Sequence, residues 1–160
     1  MAKRPTSGGG PQYHVRTVIR APLPFVFAWC TDYAPDDAVR EKEEYARKVI
    51  SRGPNRVIFE DLVDSAKGWN WARHDVTIFP PDRWHSDSVG SHRSVWIDYA
   101  LTPLGPQRTR LDVRWRREPT ALGAPVAKAV MERSATRGWN NFARALEQDY
   151  RRSIDRRRRR

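Results

Sequence analysis

Cysteine is nearly missing from this chain. Cys30 is the single one among 160 residues, which excludes an internal disulfide and a multi-cysteine zinc site. It lies in an apolar run, where a buried, inert thiol is expected rather than a nucleophile. Long apolar runs are missing as well. The longest, residues 21–30, contains two prolines and is too short to cross a bilayer. Residues 1–12 follow their basic residues with Ser, Gly and Pro instead of an apolar segment. No secretory signal is read there, and the expected location is cytoplasmic. The chain has no P-loop, no G-x-G-x-x-G, no G-x-S-x-G and no H-E-x-x-H. Its four histidines lack metal-ligand spacing on any one element, so neither a metal nor a cofactor is expected. His85-Ser86-Asp87 has the residue types of a catalytic triad. Neighbours on a strand point to opposite faces, so the three cannot converge. Glu43-Glu44 and Glu60-Asp61 fail as carboxylate pairs for the same reason.

Lysine is scarce: five, against 25 arginines. The net charge of +11 is concentrated at the ends. Residues 1–20 carry four basic side chains and no acid, and residues 151–160 carry seven Arg and one Asp. The remaining 130 residues hold 19 basic and 18 acidic side chains, a body near +1. This split predicts a disordered leader over 1–12, one domain over 13–150 and a disordered Arg-rich tail over 151–160.

What is present is a series of short alternating segments followed by one long helical pattern. Residues 13–20 alternate as a strand. A break at Ala21-Pro22-Leu23-Pro24 leads to a short apolar helix over 25–30 and a second, acidic one near 35–40. Six strands follow, over 44–51, 56–63, 69–79, 83–89, 93–102 and 109–117, separated by turn residues such as Gly53-Pro54-Asn55 and Pro80-Pro81-Asp82. In residues 119–150, Val126, Val130, Arg133, Trp139, Phe142, Leu146 and Tyr150 recur at mostly helical spacing. Thr120 is placed to cap that helix and Pro125 falls in its first turns. Lys128, Glu132, Arg144, Glu147 and Arg151 form the watered side. Such a helix needs a partner surface, and a sheet is what the chain offers.

That order resembles the START-like superfamily, also called SRPBCC or polyketide cyclase/dehydrase-like. The stretch Val18-Ile19-Arg20-Ala21-Pro22-Leu23-Pro24-Phe25-Val26-Phe27 looks like its opening strand, Ala-Pro break and first helix. Phe79-Pro80-Pro81-Asp82-Arg83 is similar to its mid-sheet turn. Tyr99-Ala100-Leu101-Thr102-Pro103 with Thr109-Arg110-Leu111 is similar to its last hairpin. The resemblance implies an α+β helix-grip fold: a curved seven-stranded antiparallel sheet around a long C-terminal helix, with two short helices after the first strand. It also implies a small apolar ligand held between sheet and helix, and it implies no particular reaction.

Alternation places Val95, Ile97, Tyr99, Leu101, Leu111, Val113 and Trp115 on the inner face. Asp98, Arg110, Asp112, Arg114 and Arg116 fall on the outer one. Asn70, His74, Val76 and Ile78, with Trp84, Ser86 and Ser88, are also read as inward. Trp69 and Trp71 then face out, unless a bulge turns one of them in. Asn70, His74, Tyr99, Ser86 and Ser88 are polar positions in an apolar lining. They are either ligand contacts or satisfied buried polar groups. Trp84, Trp115 and Trp139 either stack on a ligand ring or fill the core.

The leading expectation is a binder of a hydrophobic or aromatic small molecule: a lipid, a quinone or a polyketide-like compound. Its ligand-binding residues are Asn70, Trp84, Ser86, Ser88, Ile97, Trp115 and Trp139. The alternative is a polyketide-type cyclase or dehydratase in the same cavity. There His74 moves a proton, its reference pKa lying near neutrality, and Tyr99 bonds a carbonyl oxygen. A third expectation is nonspecific contact with nucleic acid or an anionic membrane through Arg156, Arg157, Arg158, Arg159 and Arg160.

Overall fold

In the computed structural model of the chain, residues 11–41, 44–65, 68–91, 93–119 and 127–159 are described. Chain order is β1 (Tyr13–Ile19), α1 (Leu23–Thr31), α2 (Asp37–Glu41), β2 (Tyr45–Gly53), β3 (Arg56–Ser65), β4 (Gly68–Phe79), β5 (Arg83–Gly90), β6 (Arg93–Gly105), β7 (Arg108–Pro119) and α3 (Lys128–Arg158). The strands form one antiparallel sheet in the order β1-β7-β6-β5-β4-β3-β2. Six pairings at about 4.8 Å each put β1 and β2 roughly 29 Å apart, at opposite edges. The chain between them must therefore cross the sheet, and α1 and α2 are that crossing.

The core is the inner face of the sheet closed by α1 and α3. Ile19, Val26, Val57, Val76, Leu111, Val113 and Leu146 are its most deeply buried side chains. On β1 the alternation is strict, Tyr13, Val15, Thr17 and Ile19 being buried and the residues between them exposed. Helix α3 lies along β1. Its Glu132 accepts the backbone N–H of His14 (3.1 Å), its Glu147 that of Arg20 (2.7 Å), and its Asn140 the Thr17 hydroxyl (3.0 Å). An edge strand presents unpaired N–H groups, and the two carboxylates of α3 take up two of them.

Register through β4 is continuous, with no bulge. Trp69 and Trp71 accordingly stay on the outer face, 64% and 39% exposed. The close approach of the β4 start to β5 is set at Gly90, where a Cβ would stand 2.7 Å from the Trp71 carbonyl oxygen.

Helix α3 departs from expectation at both ends. It starts at Lys128, after Ala127, without a side-chain cap. Thr120, Pro125 and Val126, expected in its first turns, lie outside the described residues. Val130, expected on the apolar stripe, is 48% exposed. The packed face is Met131, Ala135, Trp139, Phe142, Leu146 and Tyr150, which follows the 3.6-residue period back from Trp139 and passes Val130 by. At the other end the helix does not stop at Tyr150. It runs on to Arg158, so residues 151–158 are helical where a disordered tail was expected. Arginine is a good helix former, and Arg156, Arg157 and Arg158 in the last turn complement the negative end of the helix dipole. Among the described residues no helix is long and apolar enough to cross a membrane.

Candidate functional site

The inner face of β4, β5 and β6 carries two separate groups of the expected residues. The first is polar. Ser88 Oγ shares a hydrogen bond with His74 Nδ1 (2.7 Å) and another with Ser86 Oγ (3.3 Å). The His74 ring stacks on Phe59, with centroids 4.6 Å apart and planes 16° from parallel. Phe59 in turn stacks on Tyr33. Tyr33 has a φ of 43°, in the left-handed region. A non-glycine backbone there is strained by about 1–2 kcal/mol, and packing must hold it. Holding it sends the ring into the space between sheet and helix.

The second group is aromatic. Trp84 stacks on Tyr99 (4.7 Å, 8°), and Tyr99 meets Trp139 on α3 in a T-shaped contact (5.8 Å, 70°). Trp139 meets Phe142 (5.0 Å), and Phe142 meets Trp29 (4.9 Å). These rings form a continuous wall from sheet to helix. Three expected residues belong to neither group. Trp115 gives its face to Tyr13 (5.2 Å, 21°) and is buried in the core. Asn70 accepts a hydrogen bond from the Ser91 hydroxyl (3.3 Å) at the start of β4. Ile97 is half-buried, paired with Ser86 on one side and Trp115 on the other.

His74 and Tyr99 are not brought together. His74 pairs with Ser88 and Tyr99 with Trp84, so they stand two strands and four residues apart. At about 4.8 Å per strand and 3.3 Å per residue that is roughly 16 Å along the sheet. Burial pushes the His74 imidazole down to about 4, with Asp61 pulling the other way. Burial, then Cys30 and Glu41, pushes the Tyr99 phenol up. Near neutral pH both groups are therefore uncharged. The Cys30 thiol is buried and likewise pushed up, chiefly by that burial, which disfavours the thiolate.

The low His74 value has a consequence for stability. Unfolded, the imidazole titrates at its ordinary value; folded, it titrates near 4. Between the two the unfolded chain binds the extra proton, so stability falls as pH drops through that window. On going from about pH 7 to pH 5, the native protein is expected to lose about 2 kcal/mol more than His74→Gln does. Urea unfolding at the two pH values measures this, and equal losses would place the imidazole in water.

Sequence reading missed the charged cluster beside this lining. Arg47 on β2 faces inward and is 8% exposed in its side chain. It forks onto Asp61 with two 2.8 Å hydrogen bonds and donates a third to Asp37. Its guanidinium lies 4.3 Å from the Phe59 ring centre. Arg40 bonds Asp32 and Asp37 and lies 4.8 Å from the Trp29 ring centre. Asp61 approaches His74 Nε2 at 3.8 Å, linking the cluster to the polar group. The signal was present in the alternation Tyr45, Arg47, Val49 on β2, which puts Arg47 on the same face as Phe59 and Asp61.

Between α2 and α3 a pocket of about 270 Å³ is lined by Glu41, Ala135, Gly138, Trp139 and Phe142. Nothing lies within 4 Å of where a Gly138 Cβ would be, which helps leave the pocket open. The Glu41 carboxyl accepts a hydrogen bond from the Tyr45 hydroxyl (2.8 Å). Among the described residues no three His, Cys, Asp or Glu side chains converge as metal ligands would.

No protein-family model matches the sequence, and no curated protein matches it. Solved structures do. An aromatase/cyclase, ZhuI, from a Streptomyces species matches with a TM-score of 0.71 at 13% identity, over 90% of this chain and 95% of that one. A START superfamily protein from Mycobacterium smegmatis matches with a TM-score of 0.67 at 17% identity, over 89% of this chain and 99% of that one. The di-domain ARO/CYC StfQ, from the steffimycin biosynthetic pathway, matches with a TM-score of 0.66 at 13% identity, over 90% of this chain and 46% of that one. At these identities the likeness shows the fold, and the fold is the START-like helix grip.

Proposed function

From a START-like helix grip whose inner lining is aromatic, we propose that the protein binds a hydrophobic or aromatic small molecule between the sheet and α3. The carrying observation is the pocket against Trp139 and Phe142, whose aromatic wall continues through Tyr99 to Trp84. Enclosing about 300 Å² of apolar ligand surface contributes roughly 7 kcal/mol before association entropy is subtracted. That falls short of the roughly 8 kcal/mol of micromolar binding, so stacking on Trp139 and Phe142 must add to it, and no catalytic group is needed. Native mass spectrometry after gentle purification is expected to show a retained small-molecule adduct that Trp139→Ala loses. An empty protein whose tryptophan fluorescence is unmoved by millimolar naphthalene-type probes would sink this reading.

The solved aromatase/cyclases of the same fold motivate the enzyme alternative, with His74 moving a proton and Tyr99 holding a carbonyl. Distance and charge weigh against it: the two groups stand apart on the sheet, and His74 is held neutral. Full turnover of a polyketide-like substrate that collapses in His74→Ala would reinstate it.

A second reading concerns the back of α3. Arg137, Arg144, Arg151 and Arg158 are exposed and recur every seven residues, so the terminal arginines extend a row on one side of the helix. The apolar side of α3 is occupied by the sheet, which leaves phosphate contact, rather than insertion, as the mode. Deleting residues 154–160 is expected to remove most binding to duplex DNA or anionic vesicles at low salt and to leave thermal stability nearly unchanged. Equal affinity with and without the segment would assign the contact to the body.

A further inference from the structure

Near the pocket the protein twice holds one of its own cations between an aromatic face and carboxylates. Arg40 lies over Trp29 with Asp32 and Asp37 as its acids. Arg47 lies over Phe59 with Asp37 and Asp61. The α2–α3 pocket offers the same two components. Trp139 and Phe142 meet at 71° and form an aromatic corner, and Glu41 is the carboxyl in the lining. Among the described residues no Arg or Lys forms an ion pair with Glu41, whose hydrogen bond comes from the neutral Tyr45 hydroxyl. A cation–π face and a partly buried carboxylate favour the same guest, an organic ammonium, and disfavour a carboxylate.

We propose that this pocket selects ligands that carry a protonated amine on an aromatic or apolar body, with the ammonium held between Glu41 and the Trp139–Phe142 corner. The inference rests on the reading of the protein as a small-molecule binder and names the class of molecule. Burial first, then the charges of Asp37 and Asp61, pushes the Glu41 carboxyl up to about 7, against the pull of the Tyr45 hydroxyl and of the Arg47 charge. An incoming ammonium supplies the opposite charge that stabilises the ionised form.

The test compares three probes of one shape: naphthylmethylamine, naphthylmethanol and naphthoate, titrated by calorimetry at about pH 8. The amine is expected to bind about tenfold more tightly than the alcohol, with naphthoate the weakest. Glu41→Gln, checked for an unchanged unfolding midpoint, should bring the amine down to the alcohol and leave the alcohol within about twofold. Equal affinity of amine and alcohol for the native protein would overturn the amine selection, and so would a preference that survives Glu41→Gln. In both cases the small-molecule reading would stand. Failure of all three probes to bind at millimolar concentration would overturn that reading together with the inference.

Discussion

Replacing Arg47 with methionine is expected to cost about 3–5 kcal/mol of stability, because it strands the Asp61 carboxylate and leaves Asp37 with Arg40 alone. Asp61 loses a bidentate fork, and Asp37 loses one of its two guanidinium donors and keeps the other, Arg40. The side chains of Arg47, Asp37 and Asp61 are 8%, 9% and 13% exposed, so water replaces little of what is removed. The aliphatic stem and the stacking over Phe59 are lost only in part, since methionine still fills the space. Arg47→Lys should recover less than half of the loss, because a single ammonium cannot fork onto a carboxylate. Neutralising the acids alongside it (Asp37→Asn and Asp61→Asn with Arg47→Met) should restore most of the stability, as buried ion clusters tend to be replaceable as a unit. The reference is Arg56→Met. Arg56 is half exposed and pairs with Asp75 on the outer face, where water screens an ion pair and little stability is lost with it. Urea unfolding of the four variants decides the matter: equal costs at Arg47 and Arg56 would mean the inner cluster is no more than a surface pair.

The second large effect is expected at Leu146. This side chain is fully buried where α3 meets the sheet, and Leu146→Ala should cost about 2–5 kcal/mol through lost burial and the cavity left behind. Val130→Ala on the same helix should stay within about 0.5 kcal/mol, since Val130 faces water. The pair tests the rotation of α3 about its own axis. A helix turned to bury Val130 would make the two costs similar. Hydrogen exchange adds a local readout: Leu146→Ala should raise exchange in α3 more than in β5 and β6, whose ladders do not depend on that contact.

Much of this architecture was legible because the relevant signals are local. Alternation of period two identified the seven strands and placed His74, Ser86, Ser88, Ile97 and Tyr99 inward, as they are found. It also put both Trp69 and Trp71 outward, and the structure keeps them there without a bulge. The separation of His85 and Asp87 from Ser86 followed from the same rule. The two acids Glu60 and Asp61 likewise part, one to Arg73 outside and the other to Arg47 inside. Helix ends were less legible. The arginine run looked like a charged tail, yet high helix propensity and a favourable dipole at the C-terminus extend α3 through it.

By itself, then, the sequence determined the order of elements and the face on which each side chain falls, because strand and helix periods are written into consecutive residues. Only the tertiary structure decided which inward residues meet. Strand order and register divide His74 from Tyr99 although both face inward, and they give the ring of Trp115 to Tyr13. The contacts that join Arg47, Asp37 and Asp61, and the pocket that Glu41 and Trp139 both line, span α2, β2, β3 and α3. No spacing along the chain encodes such contacts, because they depend on how a short helix lands when it crosses a sheet from one edge to the other.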